Sequence, residues 1–152
     1  MKEDEHIDAV RRYFDACNSG ILEDFMPTLA ADVVHYFLPD RFPPIRGAEH
    51  LARFWRRFKQ VSNTVWAIDG IIAQGDRVVG EWSLIWTPPG SSSRVTMRGS
   101  EWYEMRSGVI GEVRAYFAYD ETGDAELTGL PYRDRRYPME SPNRAARSND
   151  RC

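Results

Sequence analysis

The chain has little cysteine, little histidine and no excess of positive charge, and each shortage removes a class of function. Only two of its 152 residues are cysteines, Cys17 and Cys152. They lie far apart, so neither a disulfide framework nor a zinc-binding spacing exists. Three histidines, dispersed and without closely spaced carboxylates, predict no metal site. Twenty basic residues against 23 acidic ones leave a net charge of -3, which gives a phosphate backbone nothing to bind and predicts no nucleic-acid partner. No apolar run approaches the roughly 18 residues of a membrane helix, so no membrane partner is expected either. The first residues, MKEDEHIDAV, are charged where an export signal would be apolar, and they predict a cytoplasmic protein.

With 42% hydrophobic and 28% charged residues, the composition is that of a globular domain. The length predicts one such domain over residues 1–132. The tail, 133–152, carries six Arg against three acids and is almost without apolar residues, so it reads as a solvated segment. Leu127–Tyr132, just before it, is apolar enough to dock on the domain or on a partner subunit. Five tryptophans are a heavy load of large rings for so small a core.

Periodicity orders the elements. Ile7, Val10, Phe14 and Cys17 form the stripe of a helix over 3–18, ended by Asn18-Ser19-Gly20. A second short helix is predicted from about Ile21 to Leu29, interrupted by Pro27. Asp32–Leu38 is β-branched and aromatic and reads as a strand, followed by a loop at Pro43–Gly47. A third helix over Ala48–Val61 sets Leu51, Phe54, Trp55, Phe58 and Val61 against an arginine face of Arg53, Arg56 and Arg57, most simply solvated. From Thr64 the period becomes two, with segments near 64–73, 77–87, 94–105 and 109–119 separated by short turns. Three helices followed by an antiparallel meander predict an α+β fold, with helices covering one face of a curved sheet.

Three stretches of this pattern resemble the NTF2-like superfamily, and within it the SnoaL-like polyketide cyclases and ketosteroid isomerases. They are Arg12-Tyr13 through Gly20, Ala31-Asp32-Val33 through Pro43-Pro44-Ile45-Arg46-Gly47-Ala48-Glu49, and Gly108 through Phe117. The resemblance spans about residues 5–119. It implies a cone-shaped α+β barrel, a deep pocket between helices and sheet, and a homodimer, here through the outer sheet face. It also implies roles at single positions. Tyr13 falls where ketosteroid isomerases keep an oxyanion-binding tyrosine, and Glu101 where they keep a protonated aspartate. Phe37 stands in place of their general base. Ala115 replaces the catalytic aspartate of SnoaL-type cyclases, and Trp82 and Leu84 replace an arginine and an aspartate of limonene-type epoxide hydrolases.

Strand alternation asks the same question without the family. If Phe37 faces the cone, so does His35, while Tyr36 turns away. Glu101, Tyr103 and Met105 face inward with Val113, Ala115 and Phe117, as do Val78, Gly80, Trp82, Leu84 and Trp86, whereas Trp102 and Glu104 face out. Tyr13, His35, Glu101 and Tyr103 are then the polar groups of an aromatic cavity whose walls include Phe37, Trp55, Trp82, Trp86, Met97, Ala115 and Phe117. Trp66 has no assigned side. A neutral imidazole accepts a proton and a buried carboxylic acid donates one, so His35 as base with Tyr13 and Glu101 as oxyanion donors is one reading. A coupled His35–Glu101 acid–base pair is another.

Each residue also has a plain alternative. His35 also reads as a core histidine bonded to a backbone carbonyl, Glu101 as the partner of Arg98, Arg114 or His35, and Tyr13 and Tyr103 as packing. Glu81 and Glu112 are expected to face outward, and His6 and His50, at helix starts, to be exposed. The enzymatic reading is a cofactor-independent, metal-free acid–base enzyme acting on a hydrophobic polycyclic or aromatic carbonyl compound by cyclisation, isomerisation or dehydration. The alternative is a binding protein for a small hydrophobic molecule.

Overall fold

A computed structural model describes residues 2–38, 42–117, 125, 127 and 129–132. The first helix, α1 (Lys2–Ser19), opens with Glu3, Asp4 and Glu5 in its first turn, where acidic groups complement the helix dipole. Gly20 then takes a positive φ and donates its N–H to the Ala16 carbonyl, closing the helix. The buried face of α1 runs through Val10, Tyr13, Phe14 and Cys17, and it begins with His6. His6 was expected to be exposed and is 1% exposed. Its Nδ1 lies 3.0 Å from the Gly75 carbonyl, so the imidazole joins the start of α1 to a distant strand turn.

The second helical segment is split. A four-residue helix, α2 (Leu22–Phe25), passes into a 3-10 turn, Met26–Thr28, because Pro27 cannot continue α-helical hydrogen bonding. The first strand, β1 (Leu29–Leu38), therefore starts three residues earlier than its β-branched core predicts. Within the expected loop, β2 (Ile45–Arg46) pairs antiparallel with β1 at Val34 and His35. The third helix, α3 (Ala48–Ser62), buries Leu51, Ala52 and Trp55. Phe54 and Val61, predicted on its inner stripe, are 40% and 51% exposed. Asn63, left-handed at φ 47°, ends α3 and donates its N–H to the Lys59 carbonyl.

The meander is β3 (Val65–Gln74), β4 (Arg77–Trp86), β5 (Val95–Arg106) and β6 (Val109–Phe117), each strand antiparallel to the next. Strand β1 joins it parallel to β6, giving a mixed six-stranded sheet in the order β2-β1-β6-β5-β4-β3. The curved sheet is open, not a closed barrel, and the fold is α+β as predicted. One buried cluster fills the space between helices and sheet.

A bulge between Ile68 and Gly70 shifts the alternation of β3 by one. Trp66 and Ile68 face the helices before it, Ile71 and Ala73 pack on the same cluster after it, and Ile72 is 70% exposed on the other side. A strict period of two read across 64–73 has no consistent inner face, which is why Trp66 could not be assigned from sequence. The free edge of β3 is covered by a side chain: Asn18 donates its amide N–H to the Trp66 carbonyl at 2.9 Å and accepts the Trp66 N–H at 2.8 Å.

The convex face of the sheet carries its own polar network. Asp69, 7% exposed, accepts a hydrogen bond from Ser83 and lies 3.4 Å from Arg98, which also pairs with Glu81 at 2.5 Å. The Ala125 N–H reaches the Thr96 carbonyl at 2.8 Å, and the Tyr132 ring lies 5.2 Å from the Arg98 guanidinium carbon. The stretch before the tail thus docks on its own domain. The tail expected to be solvated, 133–152, the strand residues expected at 118–119 and Pro39, expected to stop the first strand, lie outside the described residues.

Candidate active site

Between α3 and the concave face of the sheet is a cavity of about 250 Å³, just under the roughly 300–1,000 Å³ usual for small-molecule sites. Its wall is built from few positions per element. Strand β1 supplies Phe37, and α3 supplies Phe54, Trp55 and Phe58. Trp66 comes from β3, Trp82 and Trp86 from β4, Met97 and Glu101 from β5, and Ala115 and Phe117 from β6. Phe42 and Pro89, on two loops, complete it.

The seven expected wall residues, Phe37, Trp55, Trp82, Trp86, Met97, Ala115 and Phe117, line the cavity, whereas Tyr103, also expected to contact the ligand, does not. Phe42, Phe54, Phe58, Trp66 and Pro89 were not named. The α3 stripe signalled the two helical phenylalanines, whereas Phe42 and Pro89 sit on loops that have no periodicity to read. The rings meet edge to face: Trp55 and Trp66 have centroids 5.4 Å apart at 79°, and Trp66 and Trp82 5.1 Å apart at 69°. Gly99, opposite Trp82 in the β4–β5 register, leaves room for that indole. A Cβ at position 99 would fall on the Trp82 ring and 2.7 Å from the Tyr116 carbonyl oxygen.

Among the described residues Glu101 is the only ionisable group in the wall. The structure gathers the other predicted polar residues around its carboxyl and not at the cavity surface. Tyr103 donates its hydroxyl proton to Glu101 Oε2. His35 Nε2 stands 3.8 Å from Glu101 Oε1. Tyr13 accepts a hydrogen bond from Trp55 Nε1 at 2.5 Å, and its ring lies 6.4 Å from that of Tyr103.

The alternatives left open by sequence are narrowed here. His35 is fully buried, its ring centroid 4.4 Å from that of Phe37 with the planes tilted by 34°, and neither ring nitrogen has a hydrogen-bond partner. It is not bonded to a backbone carbonyl. Glu101 pairs with neither Arg98 nor Arg114, because Arg98 bonds Glu81 and Arg114 bonds Glu112 and Glu104. Tyr103 does more than pack, since it fixes one of the two carboxyl oxygens.

Burial holds the Tyr13 and Tyr103 phenols and the Cys17 thiol well above their ordinary pKa values, and the Glu101 carboxyl pushes all three further up. All three stay protonated at neutral pH. The two phenols are thus hydrogen-bonding groups, and Cys17 is an inert thiol. No group of three or more metal-ligating side chains occurs among the described residues, and no helix there is long and apolar enough to cross a membrane.

A mixed curved sheet with three helices on one face, enclosing an aromatic cavity, places the chain in the NTF2-like, or cystatin-like, α+β class. Within that class it belongs to the SnoaL-like domain family, whose model matches residues 10–113. A protein of unknown function with a cystatin-like fold from Methylobium petroleophilum superposes with a TM-score of 0.70 at 27% identity, over 92% of this chain and 95% of that one. An LEH-like epoxide hydrolase of M. tuberculosis gives 0.68 at 25% identity, covering 78% and 86%. A protein assigned as a polyketide cyclase from Xanthomonas campestris pv. campestris gives 0.67 at 21% identity, covering 78% and 93%, a likeness of fold alone. No curated protein sequence matches the chain at a significant level.

Proposed function

We propose that the protein is a cofactor-independent acid–base enzyme acting on a hydrophobic ring compound with a carbonyl group. In this reading Glu101 exchanges the proton with the substrate, and His35 is its proton partner. The observation that carries it is the His35–Glu101 pair: a buried imidazole with both nitrogens unbonded, 3.8 Å from the one carboxyl that, among the described residues, reaches the cavity. Buried polar groups without partners are rare in folded proteins and concentrate where chemistry needs them.

The division of labour follows from the geometry. Tyr103 holds Oε2, leaving Oε1 as the oxygen that takes a proton from the carbon beside the ligand carbonyl. Glu101 Oε1 also faces His35 Nε2 at 3.8 Å, so the imidazole is the side chain next in line to that oxygen. The proton then returns to another carbon in an isomerisation, to a departing hydroxyl in a dehydration, or to the oxygen of a newly closed ring. The positions of Tyr13 and His35 outside the cavity wall make Glu101, rather than either of them, the group that touches the ligand.

Exchange of α-hydrogens for deuterium in D2O tests this with a panel of bicyclic and tricyclic aromatic ketones such as 2-tetralone. The wild type should accelerate exchange in at least one of them. Glu101→Gln and His35→Ala should each lower that rate at least about 100-fold, the lower end for a general acid or base. Undiminished exchange in both variants rules the assignment out. A second reading, a non-catalytic binder of a hydrophobic molecule, is favoured by Phe37 and Ala115, which put apolar side chains where the family resemblance implies carboxylates. Ligand bound tightly and recovered without exchange would support that reading.

A further inference from the structure

The charge pattern of the cavity points to a ligand class different from a neutral ketone. Nine of its thirteen lining residues are aromatic, and its only ionisable group among the described residues is an acid. Aromatic faces carry negative electrostatic potential and attract cations, most strongly where water is excluded. A carboxyl in the same dry space adds a formal negative charge. Among the described residues nothing cationic offsets it from the wall. Arg98 and Arg114 project from the strands that carry the site, but both are tied to acids on the convex face. Tyr103, the hydrogen-bond donor to Glu101, is neutral. Among the described residues His35 is the nearest basic group, and at 3.8 Å it makes no hydrogen bond to the carboxyl.

From this arrangement we infer that the cavity binds hydrophobic organic cations, a quaternary ammonium or protonated tertiary amine carried on an aromatic ring, with Glu101 as counter-ion. The aromatic part packs among Trp55, Trp66 and Trp82, and the alkylammonium head lies against the carboxylate. The volume suits such a ligand, because an apolar cavity of about 150 Å³ already holds benzene and this one measures about 250 Å³. The inference rests on the cavity's shape and charge and not on the proton transfer proposed above.

Its test compares molecules of one shape and different charge. Benzyltrimethylammonium and its neutral isostere neopentylbenzene are titrated against the full chain, and binding is read by quenching of tryptophan fluorescence. The cation should bind at least tenfold more tightly to the wild type, although it gives up far more hydration on entering. Equal or tighter binding of the neutral isostere overturns the inference, and that comparison needs no variant to fold. Glu101→Gln should bring the two ligands within about threefold of each other. A tenfold preference that survives in a folded Glu101→Gln protein also overturns it, because the carboxylate would then not be the counter-ion. Neither readout depends on turnover, so an enzyme that exchanges ketone protons but ignores cations separates the two ideas.

Discussion

His35 Nε2 and Glu101 Oε1 face each other 3.8 Å apart in the interior, His35 fully buried and Glu101 3% exposed. The gap is too long for a hydrogen bond and too short to hold a water between the two atoms. A displacement of about 1 Å of the carboxyl, pivoting on its bond to Tyr103, would close it. If the pair works as one unit, its two single losses do not add. The double variant His35→Ala/Glu101→Gln should show an exchange rate within a few-fold of the worse single variant, as for groups that act together. Rates that multiply would mean the two residues act independently.

Asn18 should contribute to stability well beyond its size. Its amide satisfies both backbone groups of Trp66 at the free edge of β3. Asn18→Ala leaves that N–H and C=O without their partner, at about 1–3 kcal/mol for the pair once partial access of water is allowed for. Urea unfolding measures the difference directly. Because Trp66 is part of the cavity wall, the same variant should weaken ligand binding.

Alkaline conditions should destabilise the fold through three buried acids. Tyr13, Tyr103 and Cys17 have folded-state pKa values raised above ordinary values of 10.0, 10.0 and 9.0. The unfolded chain therefore releases these protons first, and stability is intact below about pH 9 and falls as pH rises above it. Each group adds a slope of about 1.4 kcal/mol per pH unit once its unfolded form ionises. Unfolding midpoints between about pH 8 and pH 11 should show the decline, and Tyr103→Phe should make it shallower by one group's share.

On the convex face Ile72, Val79, Trp102 and Arg114 are successive cross-strand neighbours. Ile72 and Trp102 are 70% and 41% exposed there. An apolar row of this kind is costly to leave in water and is suited to a second copy of the chain. Light scattering should report a dimer for the wild type and a monomer for Trp102→Asp. A wild type that stays monomeric at high concentration would exclude self-association through this face.

The order of elements was written in local patterns: the stripe of α1, the aromatic run of β1 and the alternation of β4 to β6 are set by which side chains must leave water. The same alternation located Glu101, Trp82 and Ala115 on the inner face, because a regular strand leaves only two choices of side. It failed at β3, where one extra residue at the bulge exchanges the two sides, and at β2, whose two residues form a strand only because β1 is there to pair with. His6 was misread for a related reason. Its burial depends on the Gly75 turn, 69 residues away, meeting the start of α1.

The sequence by itself determined the fold class and the aromatic character of the enclosed space, since both follow from periodicity and composition. Only the tertiary structure decided which polar group reaches that space. Distance and depth are products of packing among segments far apart in the chain, and they placed Glu101 at the wall, His35 and Tyr103 against its carboxyl, and Tyr13 under Trp55. A cavity expected to hold four polar side chains holds one among the described residues, and its chemistry is that of a single carboxyl among rings.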